Sequence, residues 1–181
     1  MYHHKKLQQR GMTFIEVLIA LVLIVTGILG AVAMQATAKK GSFDAMQRAL
    51  ASALAQDIIE RMRSNDASGL ANYAGTDYGA ALDAVPASRC NNPAAVCTPT
   101  AMVTNDRYEW ELALMGADVL NGTKKVGGLT GARGCITVTN INEVSVTISW
   151  QGRTGITDSS TGTCGASGDK RRQITIGAFI F

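Results

Sequence analysis

Histidine is nearly missing from this chain of 181 residues: its two copies, His3 and His4, sit at the extreme N-terminus. That placement removes the commonest general base from the body of the protein. There is no C-x-x-C pair either, so a zinc site would lack its usual ligand spacing. No P-loop, dinucleotide fingerprint or G-x-S-x-G elbow occurs. Asp57 and Glu60, three apart on a predicted helix, form a pair of carboxylates, but Arg61 beside Asp57 makes a solvated, ion-paired face the simpler reading. The expectation is a protein that is not an enzyme, with no catalytic residue, cofactor or metal.

Charge is also scarce, at 17% against 46% apolar residues, which excludes wholesale disorder. Of the formal net charge of +3, Lys5, Lys6 and Arg10 contribute three positive charges near the N-terminus, and the remainder is balanced. A neutral body lacks the basic stripe of a nucleic-acid binder, so no nucleic-acid partner is expected. Lys170-Arg171-Arg172 is a short basic cluster ahead of a strand, read as a solubilising edge rather than a contact for DNA or an acidic partner. Proline is confined to Pro86, Pro93 and Pro99, within a stretch from Ser64 to Met102 rich in Ala, Asn, Gly, Ser and Thr that reads as an extended loop.

Cysteine is absent from the apolar N-terminal part; the four copies are Cys90, Cys97, Cys135 and Cys164. An even count behind a membrane-targeting segment points to two disulfides made in an oxidising compartment. Three pairings exist in principle. Cys90–Cys97 and Cys135–Cys164 are expected, because each closes one loop rich in Gly, Ser, Thr, Asn and Pro.

What the sequence does possess is a long apolar run near its start. Residues 1–11 (MYHHKKLQQRG) are short, polar and basic, and from Met12 the chain reads MTFIEVLIALVLIVTGILGAVAMQATAKK. The 18 residues from Val17 to Met34 carry no charge, enough for one bilayer crossing at about 1.5 Å per residue. Three interpretations compete. A secretory signal would be cut after the run, at Ala31-Val32-Ala33 or Ala36-Thr37-Ala38. A plain anchor would not be cut. A third kind of precursor would be cut before the run, between Gly11 and Met12.

Glu16 separates them. A carboxylate in an apolar segment costs on the order of a few kcal/mol, and a generic signal or anchor gains nothing from it. Cleavage after Gly11 would make Glu16 the fifth residue and create an α-amino group at Met12. That cation can neutralise a neighbouring subunit's glutamate within an apolar bundle of helices and set the axial register between subunits.

The string Gly11-Met12-Thr13-Phe14-Ile15-Glu16-Val17-Leu18 resembles the class III signal of type IV prepilins and pseudopilins. The resemblance implies that Gly11 precedes the prepilin peptidase cut, that Met12 is the N-methylated first residue, and that Glu16 is the assembly carboxylate. Met12 departs from the usual phenylalanine of that family.

After Lys39-Lys40-Gly41, Phe43, Met46, Leu50, Leu54, Ile58 and Met62 recur at spacings of three and four, opposite Asp44, Arg48, Asp57, Glu60 and Arg61. Asp44/Arg48 and Asp57/Arg61 are i,i+4 pairs. One helix from Met12 to about Arg63 is expected in preference to two hinged at Gly41; it would be roughly 75–80 Å long. Gly27, Gly30 and Gly41 within it serve close helix packing or local unwinding, or are simply the glycines common in membrane helices. Asp106 to Leu120 is predicted as a short helix, capped by Asp106 with Glu109 three residues on and ended by Asn121-Gly122; Trp110 and Leu114 share its core face. Cys135 to Thr139, Glu143 to Trp150 and Gln173 to Phe181 are predicted strands, the first two joined by Asn140-Ile141-Asn142. Val144, Val146, Ile148 and Trp150 lie on one side of the second. The fold class is α+β: a long N-terminal helix, membrane-spanning in its first half, packed in its second on a small antiparallel sheet.

Glu60 to Asn65, the two middle cysteines ahead of Asp106 and Trp110, Val146 to Arg153, and Arg171 to Ile176 look like the minor pilins called type IV pilus modification protein PilV. That resemblance implies a leader over residues 1–11, a transmembrane and assembly helix over 12–40 and a periplasmic pilin-like domain over 41–181. It implies an inner-membrane location before assembly and the pilus or cell surface after. The implied partners are other minor pilins, the major pilin, the prepilin peptidase/methyltransferase and the pilus assembly platform. The implied role is priming of pilus assembly and, through it, twitching motility. A minor pseudopilin of a type II secretion system and a secreted adhesin-like domain are the alternatives.

Overall fold

A computed structural model describes residues 11–92, 96–117, 119–139, 142–157, 162 and 164–181; the basic leader stretch over 1–10 and the turn at Asn140-Ile141 lie outside them. Two compact units divide the chain, Met1–Gly41 and Ser42–Phe181. One α-helix, α1 (Phe14–Ser64), carries the chain from the first into the second and remains helical at Gly41. In the first unit every described residue is exposed.

The second unit is built on the C-terminal half of α1. Its buried face is Gln47, Ala51, Leu54, Ala55, Ile58, Ile59 and Met62, rotated from the expected stripe. Met46 points outward at 56% exposed, while Gln47 is buried. Alanines, neutral in a hydrophobic pattern, allow close approach, and Gln47 is satisfied because its Oε1 accepts the Thr130 N–H at 3.0 Å. Asp57 and Arg61 do pair, at 2.9 Å. Asp44 and Arg48 do not: Asp44 accepts instead from the Arg153 N–H at 3.1 Å and the Thr154 hydroxyl at 3.2 Å.

The stretch read as loop contains regular structure. Asp66 caps a 3-10 helix (Ala67–Tyr73) by accepting from the Ser68 N–H at 2.9 Å; hydrogen bonding from the Ser68 side chain first, and from this N–H second, holds its carboxyl below the usual range. Strand β1 (Gly75–Tyr78) follows. Helix α2 runs Pro99–Met115, starting well before Asp106. Thr98 is its cap, accepting from the Ala101 N–H at 3.2 Å, with proline in the first turn where its missing N–H costs nothing. The Asp106 cap reading fails because Thr98-Pro99 offers the stronger start and Asp106 is needed in the interior.

Helix α2 also stops early, at Gly116, whose φ of 62° is left-handed and whose missing Cβ lets the backbone of Gly127 pass against it. Asn121-Gly122 belongs to a hairpin, β2 (Leu120–Asn121) with β3 (Lys124–Lys125). The same Asn-Gly chemistry serves helix ends and tight hairpins alike.

The main sheet has four antiparallel strands where three were expected, in order β1-β4-β5-β6, with β4 at Arg133–Val138, β5 at Glu143–Gln151 and β6 at Arg171–Phe179. The alternation in β5 is realised: Val144, Val146, Ile148 and Trp150 are all buried in one core with the α1 face, Val103, Trp110 and Leu114. Trp110 is fully buried, donates its indole N–H to the Leu54 carbonyl at 2.8 Å and stacks edge-on against Tyr78 at 5.2 Å. Gly134 in β4 leaves the space the Trp110 ring occupies. Sulfur–sulfur bonds join Cys90 to Cys97 and Cys135 to Cys164; the second ties β4 to the loop before β6.

Of the basic cluster only Lys170 is exposed; the two arginines are not a solubilising edge. Arg171 is 4% exposed and donates to the carbonyls of Gly162, Cys164 and Gly165, holding the Cys164 loop. Arg172 donates to the Thr154 carbonyl at 2.8 Å. A guanidinium has enough donors to replace missing backbone pairing in an irregular loop.

Candidate functional site

The candidate site is the start of α1. Its first turn is closed by the Thr13 carbonyl, which accepts from the N–H groups of Glu16 at 3.1 Å and Val17 at 3.3 Å. Glu16 thus sits in the first turn, where the helix dipole favours a carboxylate. Its neighbours are apolar and open: Phe14 is 80% exposed and Ile15 63%. Among the described residues the Glu16 side chain has no hydrogen bond or ion pair. Nothing among the described residues therefore offsets the cost of a carboxylate in an apolar surrounding.

A Cβ at Gly11 would meet nothing within 4 Å, and the same holds at Gly27, Gly30 and Gly41. Packing among the described residues does not demand these glycines. Met12, next to Gly11, is 73% exposed.

From Phe14 onward the helix is long and apolar enough to cross a membrane. The two hydroxyls on its stretch before Ser42 turn back on the backbone, Thr26 to the carbonyls of Val22 and Leu23 and Thr37 to that of Ala33, so neither is left unpaired in an apolar medium. A bare apolar helix of this kind is a surface for lipid or for other such helices.

The globular unit holds a second constellation that sequence reasoning missed. Arg61 reaches from α1 to Asp106 at 3.3 Å and Glu109 at 2.9 Å on α2. Asp106, 5% exposed, also accepts the Tyr73 hydroxyl at 2.6 Å. Glu109 binds Arg89 at 3.1 Å, next to Cys90. Burial opposes the charge on Arg61, but the bonds to Glu109 and Asp57 outweigh it and keep the guanidinium firmly protonated. Burial likewise pushes the Glu109 carboxyl up, yet bonds from Arg61, Asn105 and Arg89 leave it below the usual range. Burial, then the bond to Asp106, raises the Tyr73 phenol; burial pushes Tyr78 up to about 12. These groups clamp α1, the 3-10 helix, α2 and the Cys90 loop together. The available signal was Asp106 on the same helical face as Val103, Trp110 and Leu114.

Asp57 and Glu60 each pair with an arginine, Arg61 and Arg63. No group of His, Cys, Asp or Glu suited to a metal ion is found among the described residues.

Comparison with known proteins gives two family matches. Residues 6–32 match a model described as the prokaryotic N-terminal methylation motif, and residues 33–108 match one described as type IV pilin Tt1218. No curated protein matches the chain, and no solved structure does. The fold and the exposed N-terminal segment, together with these matches, support the class of type IV pilin subunits. A pilin with this motif implies processing by prepilin peptidase and assembly with other pilins. Its apolar helix fits anchoring in the membrane before assembly and a place in the pilus afterwards.

Proposed function

We propose that the chain is a minor pilin, made as a prepilin, that takes part in priming type IV pilus assembly and through it in twitching motility. Residues 1–11 are the leader, 12–40 the transmembrane and assembly helix, and 41–181 the periplasmic domain. Prepilin peptidase cuts between Gly11 and Met12, and the new amino group at Met12 is methylated. In the filament Glu16 meets the amino terminus of a neighbouring subunit, which neutralises both charges away from water.

The observation that carries this reading is Glu16 itself, a carboxylate with no partner among the described residues, inside the methylation-motif match and fifth after the proposed cut. The PilV-like stretches Glu60–Asn65, Val146–Arg153 and Arg171–Ile176 support the minor-pilin role. A minor pseudopilin of type II secretion shares the N-terminal chemistry, but the match over residues 33–108 is to a type IV pilin model and favours the pilus. Intact-mass measurement of the mature protein, with and without reduction, tests the proposal. It expects a chain beginning at methylated Met12 with two disulfides; a chain beginning at Met34 or Lys39 would refute it in favour of a secreted domain.

A further inference from the structure

The hairpin of β2 and β3 belongs to neither the main sheet nor the core, and all of residues 119–126 are exposed. Val119, Leu120 and Val126 are each more than half exposed, and Lys124 and Lys125 have no ion pair among the described residues. The segment 119–126 (VLNGTKKV) contains no acid; Asp118 before it lies outside the described residues. Leu120 stands opposite Lys125 and Asn121 opposite Lys124, so each face of the hairpin carries one lysine.

Packing within the globular unit fixes which end of it bears this hairpin. Helix α2 runs antiparallel to the packed half of α1. Arg61 meets Asp106 and Glu109, the Leu54 carbonyl meets Trp110, and Met46 and Leu50 share a groove with Met115. The hairpin follows the end of α2, and Lys125 and Val126 line that same groove with Phe43 and Met46. It therefore lies beside the first turns of the packed half. The other basic group at this end is Arg153, exposed, with its guanidinium 4.0 Å over the Phe43 ring. Asp44, the acid beside it, is already bonded to the Arg153 N–H and the Thr154 hydroxyl.

Chain length then limits how far this end can stand from a bilayer. A spanning helix takes about 20 residues, which from Val17 ends near Ala36. From Ala36 to Phe43 the chain is helical, a rise of about 10 Å. The headgroup zone is about 5–7 Å deep on each side of the hydrocarbon. Long lysine side chains beside Phe43 bridge the remainder.

We propose that the β2–β3 hairpin is a membrane-surface contact: before assembly, Lys124 and Lys125 bind anionic phospholipid headgroups of the bilayer that α1 crosses. The inference rests on the reading of α1 as a membrane span. Two cations with no acid between them suit phosphate, and the open valines and leucine meet the apolar boundary below the headgroups while the lysine stems reach over them. The contact is lost when the subunit leaves the membrane for the filament, so it favours the waiting, unassembled state.

The test places the full chain in lipid nanodiscs, one set of phosphatidylcholine alone and one with about a third phosphatidylglycerol. A gadolinium-chelate headgroup broadens the amide resonances that lie against the surface. Amides of residues 119–126 broaden in the anionic discs and not in the neutral ones. A lysine near an anionic surface is worth about fivefold in binding, so Lys124→Gln with Lys125→Gln lowers the surface-bound share relative to the free by at least tenfold. The paired arginine variants keep it, and salt at about 1 M abolishes it. An unmoved Trp110 indole resonance shows that each variant is folded.

Equal broadening in the two kinds of disc overturns the inference, as does broadening that survives the glutamine pair. Broadening or protection that grows with the number of chains per disc, whatever the lipid charge, makes a second copy the occupant and overturns it too. Amide exchange over residues 17–34 tells the two readings apart. If these amides are protected while the hairpin is untouched by the anionic surface, the hairpin contact fails alone. If they exchange freely in the discs, α1 does not span, and the membrane reading fails together with the contact.

Discussion

Removing the Asp106 carboxylate is the sharpest test of how the globular unit is held together. Its Oδ2 is the acceptor for the hydroxyl of Tyr73, a residue with no exposed surface, and its Oδ1 faces Arg61. In Asp106→Ala the phenol can still accept from the Asn65 amide at 3.1 Å, but its own proton has no acceptor. A buried donor left unpaired costs about 1–3 kcal/mol. Arg61 loses one of three carboxylates but keeps Asp57 and Glu109, so that loss adds about 0–1 kcal/mol. The expected cost is therefore about 1–4 kcal/mol, set against a total stability on the order of 5–15 kcal/mol. Urea unfolding of the full chain in micelles, followed by tryptophan fluorescence, reads the globular unit because Trp110 and Trp150 both lie in it. Tyr73→Phe removes the other half of the bond. The double variant should cost less than the sum of the two by about 0.5–3 kcal/mol. Single costs that add within about 0.5 kcal/mol, or an Asp106→Ala cost below about 0.5 kcal/mol, would show that the buried pair is not what joins α2 to the 3-10 helix.

Other consequences are equally direct. Replacing Gly11 with a bulky residue should leave an uncleaved, membrane-bound precursor absent from filaments; normal processing, seen by mass, would count against the cut site. Glu16→Ala should insert in the membrane but be depleted from sheared filaments, and wild-type abundance there would remove its assembly role. Glu109 has a folded carboxyl below its ordinary 4.5, so its contribution is whole above that value and is lost as pH falls through the folded value. Unfolding measured across a pH series should therefore show a shallower acid decline in Glu109→Gln, and identical slopes would refute the clamp. Gly116→Ala should destabilise by more than 1 kcal/mol in the same urea assay, because its Cβ would overlap the Gly127 backbone at a left-handed φ; a neutral result would contradict that close approach.

Some features were legible because they are local in the chain. The uncharged run from Val17 to Met34, the acid at Glu16 and the glycine at Gly11 are properties of adjacent residues, and they need no fold to be recognised. The same is true of the strict alternation from Val144 to Trp150, which fixes a half-buried strand wherever it packs. Elsewhere local signals were ambiguous. Asn121-Gly122 ends helices and turns hairpins with the same backbone preference, and only the passage of Gly127 against Gly116 decides where α2 stops.

The sequence by itself settled the apolar helix, its lone acid and the α+β order of elements, since each depends on composition and period over a few consecutive residues. The tertiary structure alone decided which charges meet. Asp44 passes over Arg48, four residues away, for the turn at Arg153 and Thr154, while Arg61 adds Asp106 and Glu109 to its local partner Asp57. A side-chain charge bonds whatever the packing of the backbone brings within reach, and the packing is set by the apolar core, over distances the chain order does not encode.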